Sequence, residues 1–232
     1  MSLVSLVGYL FAAYVTVTCV RRLAKGGLKE DFSVFKGRTW QTWIQVLVGD
    51  VLAVSVLTIA AIYSDRAPNW LQFSWLTLLA GKGEQVQSSN LMLAGAQIPL
   101  FGIPFILLLD LNLPQFAAAE EEMFRDGTKD WLQAIPRSLG FGLMHMIVGV
   151  PLWCGLALAV PGMWFTAQYF KGGLSRSTMA HAVYNFMLIG VLFWYVLFLN
   201  YQSLFGKTPV APHPKPPAHH APVHIGPTAD RP

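Results

Sequence analysis

Long apolar runs, interrupted only briefly by charge, dominate this chain and set what it can fold into. They cover roughly residues 2–20, 40–63, 91–113, 138–150, 152–170 and 177–200. A helix crosses a bilayer core with roughly 20 predominantly apolar residues. Backbone groups in such a run must be satisfied within the protein, which leaves helices as the plausible form. The pattern predicts an all-α, polytopic transmembrane helical bundle of about six spans. Composition agrees: 12% of residues are charged, about half the share usual in a soluble domain.

The formal net charge of +4 does not point to nucleic acid, because the basic residues gather beside one span. Arg21, Arg22, Lys25, Lys29, Lys36 and Arg38 follow the first run, against only Glu30 and Asp31. Positive charge in a short loop sets orientation, so this loop is assigned to the cytoplasm. No basic region precedes the first apolar run, which therefore reads as an uncleaved span rather than a secretory signal. Cys19 and Cys154 both fall in apolar segments and read as small core residues rather than a disulfide.

Three regions follow. Residues 1–113 hold the N-terminal spans, with an outside loop over residues 64–90 and a short interfacial helix around residues 70–79. Residues 114–200 open, after Pro114, with an acidic helix over about residues 115–126 on the cytoplasmic side. Two further spans flank Pro151, and a turn over residues 171–176 leads into the last one. Residues 201–232 form a tail with eight of the fifteen prolines and four of the six histidines (His213, His219, His220, His224). Such a segment buries too little apolar surface to offset its ordering entropy and reads as disordered. Its histidines have no zinc-ligand spacing.

Polar residues inside apolar helices are costly and usually functional, so Glu120, His145, His181 and Asn185 need explaining. His145 lies eight residues past Arg137, and Asn185 nine past Arg176. At about 1.5 Å rise per residue, both sit roughly 12–14 Å below one membrane face. Glu121 and Arg125 are an acid-first i,i+4 pair, while Glu120 points about 100° away and is free to face a cavity. His181 and Asn185 share a helix face, and Phe141, one turn before His145, would shield that imidazole. The bland alternatives are a glutamate cluster favoured by the dipole of a helix start, and histidines that merely tie helices together. Asp50, midway along the second span, is expected to pair with a polar group on another helix.

Glu120-Glu121 with Arg125, Phe141 with His145, and His181 with Asn185 form an ordered set. It resembles the signature of the CAAX prenyl protease and bacteriocin-processing (Abi, or type II CAAX) family of intramembrane proteases. The resemblance covers about residues 114–199. A second glutamate pair starting at Glu121 would place Arg125 one residue early, so Glu120-Glu121 is the better register. The resemblance implies peptide-bond hydrolysis in a helical membrane cavity. Glu120 and His145 would activate water, His181 and Asn185 would stabilise the oxyanion, and Glu121, Arg125 and Phe141 would support them.

The residue chemistry suits that reading. A carboxylate can act as general base, and an asparagine amide and an imidazole N–H are apt oxyanion donors. Glu120, His145 and His181 could also hold zinc with one position open. Asparagine is a poor zinc ligand, which favours a metal-independent glutamate site. The expected partners are the lipid bilayer and a membrane-associated protein or peptide substrate, prenylated only if the family name applies. Small size and the lack of eukaryotic targeting features point to a bacterial cytoplasmic membrane. The alternative is a non-catalytic immunity or scaffold protein that binds a peptide in the same cavity. A transporter, supported only by Asp50, ranks lower.

Overall fold

The computed structural model of the protein describes residues 3–63, 66–79 and 101–205. Residues 80–100, with the start of the third apolar run, and the Pro/His-rich tail from residue 206 lie outside the described residues. Those described form helices and connecting turns, with no strand among them. The long helices are α1 (Leu3–Ala24), α2 (Trp40–Ile62), α3 (Gly102–Arg125), α4 (Trp131–Met144) and α5 (Leu152–Phe205). Of these, α1, α2 and α3 are long and apolar enough to cross a membrane.

The distribution of polarity is inverted relative to a water-soluble bundle. Leu10 and Leu52 on the outward faces are each 63% exposed, whereas Asp50, Asn112, Glu121, Arg125, Gln168 and His181 are buried. Large exposed apolar surfaces mark contact with a nonaqueous partner, and buried charge persists only where it is paired.

Helix α3 departs from expectation. The acidic stretch is not a separate helix after Pro114 but the end of the same helix. An internal proline removes a hydrogen bond and crowds the preceding turn, at a cost of about 3 kcal/mol. Here Phe105, Leu109, Leu113, Ala117, Glu121 and Arg125 are all buried. They recur every fourth residue as one stripe, and packing along it carries the helix on through Pro114. From Gly102 to Arg125 the apolar run and the acidic cluster are thus one continuous helix, and position 114 falls inside it.

Helix α4 begins at Trp131, earlier than the expected residue 138. The Asp130 carboxylate accepts from the Gln133 N–H at 2.9 Å, and the Gln133 side chain accepts from the Lys129 N–H at 3.1 Å. This reciprocal cap satisfies donors that the helix start leaves free. After Met144 the chain tightens into a 3-10 turn, His145–Val148, which ends at Gly149 with φ 91°. A left-handed residue at this point suits glycine.

The start of α5 is capped by the segment of residues 66–79. Phe73 and Leu71 carbonyls accept from the Leu152 and Trp153 N–H groups at 2.9 and 2.8 Å. The Ser74 hydroxyl donates to the Gly149 carbonyl at 2.8 Å. The anticipated interfacial helix is reduced here to one turn, Leu76–Leu79. Helix α5 has two limbs, broken by non-helical residues Gly172 and Gly173. Gly173 has φ 67°, and the break falls inside the turn anticipated at residues 171–176.

Helix α5 is the hub, packing on α2, α3 and α4, while α1 packs mainly on α3. One apolar core joins Ala12, Val15 and Cys19 of α1 to Phe105, Ile106 and Leu109 of α3. The other gathers Val46, Phe141, Leu158, Phe165, Met179 and Tyr184. Both cysteines are free, as expected. Where α4 meets α5, a Cβ on Gly142 would overlap the Gly155 carbonyl oxygen and lie 2.8 Å from the Ala159 nitrogen. Only glycine permits that approach, and it sets the distance from His145 to α5.

Candidate active site

Three elements meet around a polar cluster: the end of α3, the α4 to 3-10 junction, and the second limb of α5. The glutamates do not open a helix. They lie in the last two turns of α3, where the helix dipole disfavours carboxylates. A dipole-stabilised surface therefore does not account for them, and their partners must.

Glu121 and Arg125 are both 0% exposed. Arg125 Nε lies 3.5 Å from Glu121 Oε2, and Arg125 Nη2 donates to the Gly162 carbonyl at 2.9 Å. The guanidinium also lies over the Phe141 ring, 4.5 Å from its centroid. The other Glu121 oxygen, Oε1, faces His181 Nδ1 at 2.9 Å, and the Ser177 hydroxyl donates to Oε2. A buried carboxylate with this many donors is well satisfied. Glu122 is exposed, so the cluster uses the Glu120-Glu121 register.

Glu120 turns the other way. Its Oε2 lies 3.6 Å from His181 Nε2 and 4.0 Å from His145 Nε2. It is about a quarter exposed, as is His145, whereas His181 is buried. His145 Nδ1 lies 2.9 Å from the Phe141 carbonyl oxygen. A carbonyl only accepts, so this nitrogen carries a hydrogen, and Nε2 is the atom turned toward Glu120. His181 Nδ1 donates to Glu121 in the same way. Two imidazoles thus turn their Nε2 atoms toward one carboxylate oxygen.

Aromatic rings fix these orientations. Phe165 stacks on His181 at 4.4 Å with 14° between planes. Phe141 meets His181 and His145 edge-on at 5.3 and 4.9 Å. Asn185, one turn beyond His181, is partly buried and makes no hydrogen bond among the described residues. Of the residues singled out from sequence, the structure brings together Glu120, Glu121, Arg125, Phe141, His145 and His181. Asn185 stands on the same limb with its amide uncommitted.

Ser177 and Phe165 were not anticipated. Ser177 precedes His181 by four residues, so helical spacing alone places it on the same face. No local signal marks Phe165, which arrives from the other limb of α5. Asp50 does find a partner on another helix: Trp164 Nε1 donates to its Oδ1 at 2.8 Å.

The zinc alternative can be tested on spacing. At zinc bond lengths of about 2.1 Å, separations of 3.6 and 4.0 Å subtend about 120° and 145°, and the second is far from tetrahedral. At about 2.8 Å, a hydrogen-bonding distance, the same spans subtend about 80° and 90°, which suits a water. No group of three or more His, Cys, Asp or Glu among the described residues has metal-holding geometry. As placed, the three donors do not fit zinc.

Fold and cluster together define a helical bundle with membrane-crossing dimensions and a buried carboxylate–imidazole centre. In comparisons with known proteins, no family model, curated protein or solved structure matches the chain.

Proposed function

We propose that the chain is an intramembrane endopeptidase of the CAAX-protease and bacteriocin-processing type, with about six spans and a site reached from the cytoplasmic side of a bacterial membrane. The observation that carries this reading is the convergence of Glu120, His145 and His181 Nε2 on one point, with both Nδ1 atoms already committed. Helix ties between histidines would not need both free nitrogens aimed at a partly exposed carboxylate.

In this mechanism a water donates one hydrogen to Glu120 and the other to His145 Nε2. Glu120 takes the proton as the oxygen attacks the scissile carbonyl. The Asn185 amide meets the developing oxyanion, while His181, expected beside it as a second oxyanion donor, has its Nδ1 on Glu121 and serves as the proton relay instead. The proton passes to His181 Nε2, 3.6 Å away, and then to the leaving amine as the C–N bond breaks. Glu121 supports the transient imidazolium from Nδ1, as the acidic member of a hydrolase triad does.

The substrate on this reading is a membrane-associated protein or peptide cut near the interface. The test compares protein termini in membranes of wild-type and Glu120→Ala cells. A mature terminus that disappears in the variant is the expected result and names the substrate. If Glu120→Ala and His145→Ala both accumulate folded and leave every terminus intact, the proposal fails. A peptide-binding scaffold would then be the better reading.

A further inference from the structure

We propose that Ser177 is a positioning residue for this reaction: its hydroxyl holds the Glu121 carboxylate in the orientation that presents Oε1 to His181 Nδ1. That contact sets which His181 nitrogen carries the hydrogen while Nε2 faces Glu120. The catalytic consequence rests on the endopeptidase reading, whereas the positioning itself does not.

A buried arginine beside a carboxylate usually forks it through two parallel N–H···O bonds. Here it does not. Arg125 Nη2 is spent on the Gly162 carbonyl, and Nε and Nη1 have no hydrogen-bond partner among the described residues. Arg125 therefore supplies charge to Glu121 but little direction. The terminal torsion of a glutamate is broad and roughly two-fold, so something else must set the plane of the carboxylate.

The Ser177 hydroxyl and the His181 ring do so, one on each oxygen. Both come from one face of the same helix limb, four residues apart, and so approach the carboxylate as a fixed pair. Ser177 Oγ also lies 2.9 Å from the Phe165 carbonyl oxygen, and Phe165 is the ring stacked on His181. Ser177 thus touches both the residue that holds the imidazole edge and the residue that holds its face. It is 0% exposed, so bulk water cannot replace a lost hydroxyl. Without it, Glu121 can turn toward the Arg125 Nε–H, which lies 3.5 Å from Oε2 and has no hydrogen-bond partner among the described residues. The carboxylate then leaves Nδ1, and His181 is free to place its hydrogen on Nε2.

The experiment uses the full chain in lipid nanodiscs with histidine rings labelled with ¹⁵N. The His181 signals are identified by their loss in His181→Gln. Wild type should show His181 in the Nδ1–H form. Ser177→Ala should move a substantial fraction to the Nε2–H form, and Ser177→Cys, a weaker donor of similar size, should lie between. Cleavage of the substrate found through Glu120→Ala should fall about 10–100-fold in Ser177→Ala, as for other residues that orient a functional histidine, mainly in kcat. If Ser177→Ala keeps the wild-type tautomer, the proposal is overturned, even where Glu120→Ala abolishes cleavage. If the tautomer shifts but no terminus depends on Glu120, Ser177 still positions His181 and the endopeptidase reading falls instead. Should Ser177→Ala fail to accumulate, the Ser177→Cys spectrum decides on the same criterion.

Discussion

His181 Nδ1 stands 2.9 Å from Glu121 Oε1 across sixty residues of chain. Because that nitrogen is occupied, it is Nε2, on the opposite edge of the ring, that is aimed at Glu120. The two adjacent glutamates therefore do different work. One is sealed with Arg125 and orients a histidine, and the other is partly open and faces two imidazoles.

Glu120 can be separated from Glu121 by stability. Glu120→Gln should change thermal unfolding in detergent very little, while cleavage falls by about 10²–10⁴-fold, the range for loss of a general base. A marked drop in unfolding temperature would instead show that Glu120 is mainly structural.

The buried pair should behave oppositely. Glu121→Ala or Arg125→Ala strands an uncompensated buried charge, at a cost of about 3–5 kcal/mol. Replacing both, as Glu121→Ala with Arg125→Ala, should cost less than the sum of the single changes. Unfolding midpoints of the four proteins complete the cycle, and simple additivity would argue that the two do not interact.

Gly142→Ala puts a methyl against the Gly155 carbonyl and the Ala159 nitrogen. Both obstacles are backbone and cannot swing aside. Overpacking of this kind costs about 1–3 kcal/mol and should push α4, with His145, away from α5. Unfolding and cleavage should fall together. Gly140→Ala, whose Cβ would lie 3.6 Å from a Phe124 ring atom, is the control expected to be mild.

Asp50 is fully buried, with one oxygen on Trp164. Trp164→Phe removes the donor and strands the acceptor, at a cost of about 1–3 kcal/mol. Asp50→Asn keeps an acceptor for Trp164 and should retain both fold and cleavage. Loss of cleavage in a stable Asp50→Asn protein would mean that Asp50 takes part in the chemistry.

Orientation is checked by single cysteines in a Cys19→Ser, Cys154→Ser background. Lys36→Cys, Lys129→Cys and Lys171→Cys, all at exposed positions, should label from the same membrane side. Reaction of any one from the opposite side would break the six-span arrangement.

Much of the molecule follows from local periodicity. Apolar runs of bilayer length specify helices, because no other form satisfies their backbone in lipid. Spacing by four residues aligns Glu121 with Arg125 and His181 with Asn185 whatever the rest of the chain does. Gly172 and Gly173 mark the bend of α5, since a residue at φ 67° suits few side chains. Tertiary packing decided the rest. Pro114 signals a break, yet a continuous buried stripe carries α3 through it and puts the glutamates at a helix end. Which oxygen of Glu121 meets His181, that Trp164 answers Asp50, and that Phe165 lies flat on His181 all depend on how helices distant in sequence are set side by side. A helix repeat places a side chain on a face; only the contact between faces supplies its partner.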